Sequence, residues 1–152
     1  MNNLSDEFFM NEALNQARLA ANILEVPIGA VIVRNQEIIS YGYNKKETFK
    51  NSLHHAEIIA INEACKKLGT WRLCDCELFV TLEPCPMCAG AIINSRISRV
   101  IFGTEDLKSG ACGSVLNLFD LSFNHRPKVT RGILREQCSS ILSDFFKNLR
   151  KR

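Results

Sequence analysis

The stretch Leu78-Phe-Val-Thr-Leu-Glu-Pro-Cys-Pro-Met-Cys88 constrains this chain more than any other. Proline lacks a backbone N–H and fixes φ, so Pro84 and Pro86 cannot continue the ladder of a central strand, yet they suit the first turn of a helix. The spacing therefore predicts a buried strand from Leu78 to Leu82, a sharp turn, and a helix from Met87 to about Ser95. Cys85 and Cys88, three residues apart, then share one face of that helix's opening turn. A second apolar run, Val100-Ile-Phe102, follows and is expected to stop at Gly103. Strand, helix and strand in this order is the repeating unit of a layered α/β protein.

The flanking sequence extends that unit. Ser5 reads as an N-cap followed by Asp6 and Glu7, and Phe9, Ala13, Ala17 and Ala20 recur at helical spacing, predicting a helix to about Asn22. The β-branched run Ile28 to Val33, polar Asn35 and Gln36, and a second run from Ile38 to Tyr43 predict a hairpin. His55 to Leu68 carries Ile58, Ile61, Ala64 and Leu68 on one stripe, with Gly69 placed to end a helix. Between Thr104 and Asn124, Gly110 and Gly113 suggest a loop with a short helical piece. Val129 to Ile133 reads as an edge strand, and Leu134 to Arg150 as a closing helix that turns Ile141, Leu142, Phe145 and Leu149 inward. The expected architecture is α/β, three layers of helix, sheet and helix around a mixed sheet, since the early hairpin excludes a wholly parallel one. No repeat or linker divides the 152 residues, so one domain over 1–152 is expected.

The seven cysteines decide what kind of chemistry to look for. The N-terminus carries acidic residues and no apolar signal core, and no run approaches the roughly 18 residues that cross a bilayer, so a cytoplasmic protein without membrane attachment is expected. Reduced, clustered thiols in such a compartment point to metal binding or catalysis. Cys85 and Cys88 at one helix start and His55 at another supply three soft or borderline ligands, a set that suits zinc over magnesium. A structural zinc takes four protein ligands, whereas a catalytic zinc takes three and leaves a corner for water. Glu57, two residues from His55, stands ready to act on that corner. Cys74 or Cys76 as a fourth ligand would close the site, but the strand expected between them and Cys85 separates them. A C-x-x-C pair alone also serves redox chemistry or simply packs in cores; its combination with His-x-Glu, each at a helix opening, is what favours a hydrolytic metal site.

That combination resembles the zinc deaminases of nucleobases, whose signature is His-x-Glu followed by Pro-Cys-x-x-Cys. Further segments resemble the tRNA-specific adenosine deaminases in particular: Val26-Pro-Ile-Gly-Ala-Val31, Gly42-Tyr-Asn44, His55-Ala-Glu-Ile58, Thr81 to Ala91, Ser95-Arg-Ile97, Arg99 to Gly103, Gly110-Ala-Cys-Gly-Ser114 and Leu142-Ser-Asp-Phe-Phe146. The resemblance implies a cytidine-deaminase-like fold with a five-stranded sheet. It also implies a homodimer that converts adenosine to inosine at the wobble position of a tRNA anticodon, typically an arginine tRNA in bacteria. By position, His55, Cys85 and Cys88 would bind one Zn2+ per chain and Glu57 would shuttle protons. Asn44 would contact the target nucleotide and the backbone around Ala56 and Pro84 would line the reacting group; Pro27, Lys108 and Phe146 are further candidate substrate contacts. Cys112, where alanine is common, and a short stretch before Asn124-His-Arg126 are the visible departures.

Hydrolytic deamination at C6 of adenine requires an activated water and a proton carrier, and the target base must be unpaired to reach either. The formal charge of +3 is too mild to prove an RNA partner by itself. Lys45, Lys46, Lys108 and the tail Lys147, Arg150, Lys151 and Arg152 are the candidate backbone contacts. Phe146 is a candidate stacking residue, while Trp71, Tyr43 and Phe145 read as packing residues. His54 and His125 carry no assigned role, and Cys65 and Cys138 read as helix-face thiols. The competing readings are a free-base or nucleoside deaminase acting on guanine or cytosine, and a silent zinc protein that only binds RNA or a partner.

Overall fold

The computed structural model describes residues 3–151. Ser5 caps the first helix, α1 (Asp6–Asn22), its side chain accepting from the Phe8 N–H. The hairpin forms as β1 (Gly29–Arg34) and β2 (Glu37–Tyr43), turning at Asn35 and Gln36, both at positive φ. Next come α2 (Ala56–Leu68), ended by Gly69 in the left-handed region, β3 (Cys76–Leu82), and α3 (Pro86–Asn94) with proline in its first turn. The chain finishes with β4 (Arg99–Thr104), a short 3-10 turn (Leu118–Asp120), β5 (Lys128–Arg131) and α4 (Arg135–Arg150).

The five strands lie in the order β2-β1-β3-β4-β5. β1 is antiparallel to both β2 and β3, while β3, β4 and β5 run parallel, which gives the mixed sheet. Period-two alternation sorts the side chains to two faces. Ala30, Ile32, Leu78, Val80, Val100 and Phe102 pack with Ala56, Ala60, Ala64, Ala89 and Ile92 of α2 and α3. Val31, Val33, Phe79 and Ile101 pack on the other face with Phe9, Met10, Ala13 and Leu14 of α1 and Cys138 of α4. This is the cytidine-deaminase-like arrangement of helices on both faces of one sheet.

Two glycines let helices touch the sheet backbone to backbone. A Cβ on Gly29 would strike the Ala13 carbonyl of α1, and one on Gly42 would strike the Ala56 carbonyl of α2. α2 is thereby held against β2 at its first turn.

Three expectations are corrected. β4 does not stop at Gly103 but runs to Thr104; glycine is needed inside the strand because a Cβ there would collide with the buried Cys138 sulfur. Leu149 is not buried: it is 47% exposed, bordering a surface cleft with Ala21 and Leu24, and in α4 only Cys138 is fully buried. Trp71 is no packing residue; it is exposed, with the Arg72 and Arg96 guanidiniums over its ring at 4.9 and 5.7 Å. No helix among the described residues is long and apolar enough to cross a membrane.

Candidate metal centre and catalytic site

α2 and α3 both begin beside the C-terminal end of β3, and each presents its N-cap residue to the same point. His55 caps α2 and Cys85 caps α3, both with extended dihedrals, and neither side chain makes a capping hydrogen bond. These two side chains are thus withheld from the helix ends they precede. The His55 Nδ1 lies 3.7 Å from the Cys85 sulfur and 3.6 Å from the Cys88 sulfur. A tetrahedral zinc, with Zn–S of about 2.3 Å and Zn–N of about 2.0 Å, separates nitrogen and sulfur by about 3.6 Å. The observed spacings match the edges of such a tetrahedron.

Proton affinities in the trio point the same way. A hydrogen bond from Cys88 is the main reason that the Cys85 thiol is pulled down to about 4; burial opposes it and His55 assists. The Cys85 sulfur and burial push Cys88 far above the usual thiol range. His55 is raised, chiefly by its bond to Cys85 and against the effect of burial. Two thiols and an imidazole in mutual contact form the soft and borderline donor set that suits zinc. Among the described residues no other His, Cys, Asp or Glu joins the cluster. Cys74 is exposed and Cys76 is buried at the far end of β3.

Glu57 sits in the first turn of α2, 4% exposed. Burial pushes its carboxyl up to about 7, against the pull of its own backbone N–H and of His55. It lines a cavity of about 140 Å³ together with His55, Cys85, Glu83, Asp106 and Ser109. His55, Asp106 and Ser109 also border a wider hollow of about 550 Å³, a size within the roughly 300–1,000 Å³ typical of ligand sites.

Asn44, Ala56, Lys108 and Phe146 all line the wider hollow, along with Lys46 and Leu142. Asn44 is 7% exposed, its Nδ2 donating to the Val26 carbonyl and its Oδ1 accepting from the Lys46 N–H. One amide hydrogen and one lone pair stay free for a ligand. One expected contact falls elsewhere. Pro27 is buried between Val26 and Ile28, which take the lining positions. Around Pro84, itself buried with its carbonyl bonded to the Ala111 N–H, Glu83 and Cys85 line the cavity.

Lys45 lies over the Tyr43 and Phe49 rings instead of the hollow. His54 packs edge-on against Phe49, and His125 bonds the Ile97 carbonyl. Lys147, Arg150 and Lys151 are exposed at the end of α4, and Arg152 lies outside the described residues.

Sequence reasoning missed two buried carboxylates. Glu25, beside the hollow, accepts from the Glu47 and Thr48 N–H groups and from the Thr48 hydroxyl. Glu83 accepts from the N–H groups of Asp106, Cys112 and Ser114 and from the Ser114 hydroxyl. The signal available was an acid embedded in apolar sequence, which has to find donors when buried.

A family model, MafB19-like deaminase, matches residues 4–150. The tRNA-specific adenosine deaminase of Bacillus subtilis (strain 168) is 51% identical over 148 residues, covering 97% of this chain and 92% of that protein. A solved structure from a study of A-to-I editing by tRNA:A34 deaminases at the wobble position of transfer RNA superposes with a TM-score of 0.86 at 41% identity, covering 89% of this chain and 99% of the other. A guanine deaminase from Nitrosomonas europaea superposes with a TM-score of 0.82 at 25% identity, covering 95% and 86%.

Proposed function

This chain belongs to the tRNA-specific adenosine deaminases, and from that membership we propose that it hydrolyses adenosine to inosine at the wobble position of a tRNA anticodon, with His55, Cys85 and Cys88 holding zinc and Glu57 carrying protons. The observation that supports the chemistry best is the three-ligand set at tetrahedral spacing with a buried carboxyl beside it in the same cavity. Zinc, when bound there, supplies a Lewis acid that brings the pKa of a coordinated water to about 7. Glu57, poised near neutrality, accepts a proton from the attacking water and delivers it to the ring nitrogen of adenine. Once reionised, it takes the remaining proton from the new C6 hydroxyl and passes it to the amine; the C6–N bond breaks as the C6 carbonyl forms, so that water and adenosine leave as inosine and ammonia.

Asn44 is held at both ends of its amide and offers its free hydrogen and lone pair to the nucleotide. The cavity shares His55, Asp106 and Ser109 with the hollow, and its carboxyl Glu57 is buried out of reach of a stacked base, so the substrate base has to be extruded from a loop. Lys46 and Lys108 at the hollow suit phosphates, and the exposed Phe146 suits a neighbouring base. An arginine tRNA is the expected substrate, and the cytoplasm the expected compartment. A second copy of this chain is the expected partner. Val115, Leu116, Leu121 and Phe123, exposed between β4 and β5, support a surface that a second copy covers.

Incubating the protein with an arginine tRNA anticodon stem-loop, free guanine and free cytosine, and measuring inosine and released ammonia, tests this reading. Inosine from the RNA and no ammonia from either base is expected. Ammonia from guanine with no inosine would replace it with the reaction of the Nitrosomonas europaea relative.

A further inference from the structure

Glu83 is 2% exposed, and no step of the reaction uses it. Its Oε1 accepts from the Asp106 N–H at 3.1 Å and from the Ser114 hydroxyl; its Oε2 accepts from the Cys112 and Ser114 N–H groups at 3.0 and 3.1 Å. The chain passes so close at Gly110 that a Cβ there would collide with the carboxylate. Asp106 in turn accepts from the Lys108 and Ser109 N–H groups, both at 3.1 Å. A continuous set of bonds thus runs from the end of β3 to residues 106–109, which wall the hollow.

Building on the deaminase assignment above, we propose that Glu83 is a positioning residue that fixes residues 106–109 over the base-binding hollow and thereby sets substrate affinity. A carboxylate is required because every partner is a donor. In Glu83→Gln the amide settles with its NH2 toward the Ser114 hydroxyl, which can turn and accept, and away from Cys112 and Ser114 N–H. The NH2 then faces the Asp106 N–H, donor against donor. The substitution keeps the shape beside Pro84 and Cys85 while releasing one end of the loop.

Glu83→Gln should raise KM for the anticodon stem-loop about tenfold, the loss of one charged hydrogen bond, with kcat and zinc content near wild type. Amide hydrogen exchange of Asp106, Lys108 and Ser109 should quicken by about tenfold while Cys112 and Ser114 stay protected. Lys108→Ala should cost less in the Glu83→Gln background than alone, whereas Lys46→Ala, on a lining segment that Glu83 does not bond, should cost the same in both. Gly110→Ala, which crowds the carboxylate, should give the same pattern. An unchanged KM, a loss of kcat or zinc instead, unaltered exchange at Asp106, or strict additivity with Lys108→Ala would each overturn the proposal. If the wild-type protein edits no stem-loop, the deaminase reading fails; the exchange data alone then decide whether Glu83 holds the loop, and unaltered exchange overturns that too.

Discussion

Glu57 carries two demands that conflict in water: it has to keep a proton near neutrality and give it up on cue. Burial at the start of α2 meets the first, and the neighbouring His55 limits how far the carboxyl rises. Glu57→Gln should therefore retain zinc, measured by elemental analysis, and lose at least about 10²-fold in turnover. Cys88→Ala should lose zinc itself, since two ligands do not close a tetrahedral site. Glu25 and Glu83 are a different kind of acid. Burial works to raise both, but their hydrogen bonds outweigh it and hold both below the usual carboxylate range. Their contribution to stability is fully present above about pH 4.5, where the unfolded carboxyls are ionised, and is lost as pH falls through the depressed folded values. Glu25→Gln should lower the melting temperature at pH 7 and flatten its fall in acid. The meeting of His55, Cys85 and Cys88 is legible in the sequence, because helix-opening signals place each of them. Glu25 and Glu83 are not, because their partners are backbone N–H groups of loops that are distant in sequence, up to 31 residues for Ser114.

At the scale of elements, the site depends on how closely α2 approaches β2. Gly42 allows the Ala56 carbonyl and the Ala60 N–H to lie where a side chain would begin. Gly42→Ala should push the first turn of α2 outward, destabilising the fold by about 1–3 kcal/mol. Thermal unfolding and metal content measured together check this, with zinc loading falling because His55 moves with that turn. The elements themselves follow local signals: Ser5, Pro86 and Gly69 fix helix ends, and strand alternation fixes faces. Signals fail where tertiary contact decides. Gly103 looks like a stop because its sulfur neighbour, Cys138, is 35 residues on. Leu149 lies on the apolar stripe of α4, yet it borders only a surface cleft with Ala21 and Leu24.

Across the whole molecule, one side chain ties a helix to three strands through charge and hydrogen bonds. Arg99 of β4 forms a fork with Asp6 in the first turn of α1, reaches Glu77 of β3 at 2.8 Å, and donates to the Thr130 hydroxyl of β5. These partners raise its pKa against a partial loss of solvent. Arg99→Met should reduce stability by roughly 1 kcal/mol, the discount reflecting a guanidinium still in touch with water, and 1 M salt should shrink the gap from wild type. β5 has four residues and one neighbouring strand, so it has little else to hold it. The beginning of the polypeptide is in effect stitched to the outermost rim of the sheet. A fusion or trimming that disturbs Asp6 should consequently be felt first as fraying around residue 130, while the chemistry at the opposite ends of these layers goes on unaffected.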